Sequence, residues 1–118
     1  MIKAYKLYTG EDGHSHVISG YVEQLHLSEA IGIRFQETEA HSHYDWHTAP
    51  DLQYVITLTG TLEFTCKNEC FTIHPGDVLI ALDTTGSGHK WQLIDNAPWK
   101  RAYVLFENPA KINFIPGE

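Results

Sequence analysis

Apolar and polar residues alternate at every second position along most of this chain, and no stretch of helical length carries a 3.6-residue apolar stripe. Residues 2–8 set Ile2, Ala4 and Lys6 against Lys3, Tyr5 and Leu7, which predicts a first strand closed by the turn Gly10-Glu11-Asp12-Gly13. Residues 15–18 predict a short second strand ended by Ser19-Gly20. Residues 21–27 predict a third, alternating Tyr21, Glu23, Leu25 and Leu27 with Val22, Gln24 and His26. Further strands are predicted over 31–36, 52–58, 61–66, 70–73, 78–82, 89–94 and 99–106, with a polar loop over 37–45 and turn residues at nearly every junction. Short strands at this spacing predict an all-β sandwich or barrel. The tail from Asn108 to Glu118, with Pro109 and Pro116, predicts a helical turn or an extended arm.

Composition narrows the choice. A chain of 118 residues is the size of one domain and can bury a real core. A net charge of −7, with eight scattered Lys and Arg, argues against nucleic acid and against an anionic membrane surface. No apolar run has the length of a signal peptide or a bilayer span, so a cytoplasmic protein is expected. No Ser-His-Asp order, P-loop or dinucleotide fingerprint points to another enzyme class.

Candidate chemistry falls between Trp46 and His89. Gln53 opens a strand in which Gln53, Val55 and Thr57 share one face and Tyr54, Ile56 and Leu58 the other. His47 lies shortly before it, across Ala49-Pro50, where the proline favours an extended or bulged approach. His89 follows Gly86-Ser87-Gly88. It shares a face with Trp91 and Leu93, while Lys90 and Gln92 form a polar opposite face. An inward histidine needs an acceptor or a metal ion. Trp91 reads as a pocket wall and Trp46 as its rim, the alternative being that both are packing residues. His41 and His43 read as loop residues, solvated or capping the pocket mouth. Asp83 either caps its own turn or hydrogen-bonds His89. Cys66 and Cys70 flank Lys67-Asn68-Glu69, read as a three-residue hairpin loop. Opposed strand positions can reach disulfide distance, but reduced thiols are expected in the cytosol.

The order and spacing of these segments resemble the two motifs of the cupin superfamily over residues 31–106. Gln53 is followed by six residues and Gly60, which puts it in the place of the motif glutamate, with His47 and Ala49 in the places of the two motif histidines. Pro75-Gly76-Asp77 and Gly86-Ser87-Gly88-His89 resemble the second motif. The phrases Trp46-His47-Thr48-Ala49-Pro50 and Asp83-Thr84-Thr85-Gly86-Ser87-Gly88-His89 are similar to a subgroup of small single-domain cupins of largely unassigned activity. The resemblance implies one double-stranded β-helix (jelly-roll) barrel over 1–118. Its core would be 31–106, its N-terminal strands 1–30 and its C-terminal arm 107–118. It implies a divalent transition metal (Zn, Fe, Ni, Mn or Cu) on His47, Gln53 and His89, with Trp46, Val55, Thr57, Trp91, Leu93 and His43 around a pocket for a small polar or anionic organic molecule. An alanine and a neutral amide in the ligand set weaken divalent binding and leave more positive charge on the ion, which favours an anionic ligand. Three roles follow: a metal-dependent enzyme, a non-catalytic binding module, or a structural protein with a vestigial site. A homodimer is expected as well, because apolar outer-face residues such as Ile56 and Leu58 need burial.

Overall fold

The structure, a computed structural model, describes residues 1–117. Its strands in chain order are β1 (Ile2–Thr9), β2 (Ser15–Val22), β3 (Gly32–Thr38), β4 (His43–His47), β5 (Gln53–Thr59), β6 (Leu62–Cys66), β7 (Glu69–Ile73), β8 (Val78–Ala81), β9 (His89–Leu93), β10 (Trp99–Leu105) and β11 (Ile115–Pro116). They form a larger sheet in the order β11-β2-β1-β8-β5-β10-β3 and a smaller one in the order β4-β9-β6-β7. The pairings are antiparallel except for β1 with β8. The two sheets face each other, as the alternation of short strands predicts and as a jelly roll requires.

Residues at alternate positions of each sheet fill the space between them. Leu7, Val55, Leu79 and Trp99 from the larger sheet meet Leu62, Phe64, Phe71, Ile73 and Leu93 from the smaller. Phe64 is 2% exposed, and burying a side chain of that size contributes about 1.5–3 kcal/mol. A second cluster covers the outer face of the larger sheet. Ala4, Tyr54, Val78 and Ile80 pack there under Phe106, Ile112 and Phe114 of the C-terminal segment. The Tyr54 ring lies 5.0 Å from Phe106, and its hydroxyl accepts the Asn113 N–H at 2.8 Å. The arm therefore includes a short 3₁₀ turn (Pro109–Lys111) and a strand. Glu118, its last residue, lies outside the described residues.

Four local expectations are corrected. Ser19-Gly20 does not end β2, because both residues stay paired with β1, opposite Tyr5 and Ala4. A Cβ at Gly20 would overlap the Ile115 carbonyl, so the glycine is what lets β11 dock there. The predicted strand over 21–27 fails after Val22. Leu25 takes a left-handed φ of 65°, and Leu25 and Leu27 stand fully exposed with no strand beside them. The polar stretch 37–45 is mostly strand, because its second half pairs with β9 and only 39–42 is left to turn. Finally, Cys66 pairs opposite Glu69 and Thr65 opposite Cys70, so the hairpin loop is Lys67-Asn68. The two cysteines then fall on opposite faces of the sheet, one buried and one exposed, and both are free.

Candidate functional site

A recess of about 590 Å³ lies between the sheets, on the side where β3 and β4 form their edges. Two strand features turn its polar side chains inward. On β4 the register slips between Tyr44 and His47, so Asp45-Trp46 stand opposite Lys90 while Tyr44 faces Trp91 and His47 faces His89. The slip changes the phase of the strand and brings both Tyr44 and His47 to the recess. At the other end of the pairing, Gly88 has a φ of +75°, and a Cβ there would overlap the His47 carbonyl. Only a glycine permits this close approach of β9 to β4.

The two imidazole rings sit 4.5 Å apart, centroid to centroid. His89 is 4% exposed, and its Nδ1–H donates to Asp83 Oδ2 at 2.6 Å; the same oxygen accepts the Ser15 hydroxyl at 2.6 Å. Half-buried His47 donates Nδ1–H to the Asp45 carbonyl at 2.7 Å. Each Nδ1 is thus committed, which leaves Nε2 as the ring nitrogen available to a ligand. Burial lowers His47 below the ordinary histidine value. The Asp45 carbonyl opposes that shift and neighbouring His89 adds to it, so the ring is neutral near pH 7. Gln53 completes the group. It is 4% exposed, it opens β5 opposite Ala81 and Leu105, and its Oε1 is buried with no hydrogen-bond partner.

Two imidazole Nε2 atoms and an orphaned amide oxygen form a donor set that fits a borderline divalent ion. Among the described residues no three His, Cys, Asp or Glu side chains are gathered for a metal, so the amide is needed to make a trio. Ala49 also lines the recess, its N–H bonded to the Asp83 carbonyl at 3.0 Å, and it offers no donor from its side chain.

Of the other residues singled out from the sequence, Val55, Trp91 and His43 line the recess. Thr57 is buried beside it and accepts the Trp99 indole N–H at 3.2 Å, and Leu93 lies in the main core. Trp46 is half-exposed at the bulge, with the Lys90 ammonium 5.2 Å from its ring. His41 occupies the β3–β4 turn with a φ of 66° and is exposed.

The sequence reading passed over Arg101. It faces inward from β10, 3% exposed, with its guanidinium stacked 3.7 Å from the centroid of the Trp99 ring. Its Nε donates to the Tyr103 hydroxyl at 3.0 Å, and its Nη1 donates to Thr38 Oγ1 at 2.6 Å and to the Trp99 carbonyl at 3.1 Å. The signal was present in the alternation, since Trp99, Arg101 and Tyr103 occupy one face of a strand whose intervening residues include Lys100. A cation on the aromatic face of a core strand is a departure from pattern of the kind that marks a site. A larger groove of about 820 Å³ lies between residues 26–31 and the C-terminal segment, away from these groups.

No protein-family model and no curated protein matches the sequence. Solved structures do resemble it. A cupin superfamily protein from Desulfitobacterium hafniense is 14% identical with a TM-score of 0.52, over 71% of this chain and 73% of that one. A cupin-2 domain containing protein from Shewanella frigidimarina is 20% identical with a TM-score of 0.46, over 61% and 66%. A conserved protein of unknown function from Streptococcus pyogenes is 16% identical with a TM-score of 0.49, over 70% and 69%. The likeness to the Desulfitobacterium protein agrees with the strand order and the two facing sheets. The chain has the fold of a small cupin.

Proposed function

We propose that the recess is a small-molecule site in which His47, His89 and Gln53 hold a divalent transition metal ion, and that a small polar or anionic organic ligand binds beside it. The observation that carries this reading is the pair of imidazoles whose Nδ1 groups are already engaged, facing the same recess as a buried amide oxygen with no partner. A bound ion would supply Lewis acidity to a ligand oxygen. The chain's own residues do the rest. Asp83 and the Asp45 carbonyl orient the rings, Trp91, Trp99 and Phe64 wall the space, and Arg101 brings a positive charge to it.

Metal analysis of the purified protein tests this directly. The expected result is near-stoichiometric Zn, Fe, Ni, Mn or Cu, lost in His47→Ala and in His89→Ala. Gln53→Glu, which restores an anionic donor, should tighten divalent binding by about tenfold or more. Metal-free protein from metal-replete cells, with unchanged content in both histidine variants, would end the reading. Ala49 and the uncharged Gln53 favour a second role, binding without turnover, and a panel of small organic acids assayed for consumption separates the two. The same reading places the protein in the cytoplasm, where its two unpaired thiols stay reduced. No helix among the described residues is long and apolar enough to cross a membrane.

A further inference from the structure

We propose that the recess is a receptor for an organic carboxylate, its anionic end held by Arg101 with Arg34 beside it and its body packed on the aromatic wall. This deepens the small-molecule reading of the same recess and does not depend on the metal.

The recess holds a charge that has no counter-charge. Arg101 is almost wholly buried, yet each of its hydrogen-bond acceptors is neutral: a phenol, a threonine hydroxyl and a main-chain carbonyl. Every close ion pair among the described residues joins a histidine to a carboxylate, so neither Arg101 nor Arg34 has an acidic partner. A guanidinium taken out of water without an anion is unfavourable, and natural interiors pair such groups. The chain has no shortage of acids, with 15 Asp and Glu against eight Lys and Arg, but none of them lines this recess. The distribution is inverted: an acidic protein encloses a cavity that gathers two arginines and excludes carboxylates.

The geometry states what is missing. Stacking on Trp99 and three hydrogen bonds through Nε and Nη1 hold the guanidinium plane in place, which leaves the two N–H donors of Nη2 without an acceptor among the described residues. Tyr103 ties the second arginine to the first, its ring centroid lying 5.5 Å from the Arg101 guanidinium and 5.0 Å from that of Arg34. The register explains the grouping, since Arg34 on β3 pairs with Tyr103 and Gln36 pairs with Arg101, so all four side chains share the inward face. A planar carboxylate is the anion that suits an immobilised guanidinium edge. Tyr44, Phe64, Val55 and Trp91 supply an apolar surface that an inorganic anion would leave uncovered, so the anion belongs to an organic molecule with a flat or branched body.

Calorimetric titration of the metal-stripped full chain tests the proposal with three probes: benzoate, its neutral isostere benzamide, and inorganic phosphate. Benzoate should saturate a single site, with benzamide and phosphate each binding about tenfold or more weakly. Arg101→Met should lower benzoate affinity about tenfold or more. Arg34→Gln, at an exposed strand position that folding tolerates, should lower it several-fold. Equal binding of benzoate and benzamide, preference for phosphate, absence of saturation, or unchanged affinity in Arg34→Gln together with a folded Arg101→Met would each overturn the proposal. Metal content is read separately. Benzoate binding to metal-free protein supports the receptor even where the metal reading fails, and a metal-loaded protein indifferent to carboxylates fails the receptor alone.

Discussion

Asp83 shows how much of the candidate site depends on one side chain outside the ligand set. It is fully buried, one oxygen accepts from both Ser15 and His89, and the other has no partner. Asp83→Asn removes the charge that strengthens both bonds and is expected to cost about 1.5–3 kcal/mol in urea unfolding. If His89 is a metal ligand, the same change should also weaken metal affinity about 10–100-fold, because a neutral amide orients and polarises the ring less than a carboxylate. Ser15→Ala separates the two effects. It removes one hydrogen bond to Asp83 and should cost about 1 kcal/mol while leaving metal titration unchanged. The cysteines offer a second residue-level contrast. Burial pushes the Cys66 thiol up to about 11, with Glu69 and Asp83 adding to the shift, whereas Cys70 is exposed. At about pH 8 a thiol reagent should therefore label one site quickly, identified as Cys70 by peptide mapping, and reach Cys66 only on unfolding. Rapid labelling of both would contradict the hairpin register.

At the scale of the element, the contact between β4 and β9 is what brings the two imidazoles together. Gly88→Ala places a Cβ at a left-handed residue and against the His47 carbonyl. The backbone conformation alone costs about 1–2 kcal/mol. The overlap must also push β4 away, so a urea midpoint lowered by more than the backbone term and a loss of metal and ligand binding are expected together. A variant that melts earlier yet binds as the wild type would show that the approach of the strands is not what assembles the site. The glycine was readable from the sequence as a turn before an inward histidine, and the alternation His89, Trp91, Leu93 was enough to orient that strand. What the alternation could not carry was its own interruptions. The slip in β4 turns His47 inward and leaves Trp46 beside Lys90, which a strict period of two cannot express. Likewise Leu25 and Leu27 alternate as a strand would, but no neighbour pairs with them, because pairing depends on distant chain rather than on local pattern. Arg101 was missed for a different reason. Its place on the face of Trp99 and Tyr103 is visible in the alternation, but a cation buried among aromatics has no spacing motif of the kind that marks histidine ligands.

At the scale of the molecule, the larger sheet ends in an edge that no strand among the described residues covers. β3 pairs with β10 on one side only, and Ile33 and Phe35 on its outer face are 61% and 70% exposed, with Ile31 just before them at 62%. The C-terminal segment protects the rest of that face: Tyr54 and Ile56 lie in the same cross-strand rows as Ile33 and Phe35 but are buried or half-buried beneath it. Ile56, an expected contact, is thus largely used within the chain, while Leu58 remains 53% exposed. An open strand edge bearing large apolar side chains favours pairing with an identical edge, and two-fold symmetry lets β3 meet its own copy antiparallel. We therefore propose a homodimer through β3. Sedimentation at tens of micromolar should give a dimer for the wild type and a monomer for Phe35→Glu, whose side chain is too exposed for the change to threaten the fold of one protomer. Salt should affect the wild-type dimer little, because the contact is apolar and a net charge of −7 on each chain is screened within about 10 Å at 0.1 M. A wild-type monomer at that concentration, or a Phe35→Glu dimer, would remove the edge from the assembly and leave the exposed apolar row on β3 without a role.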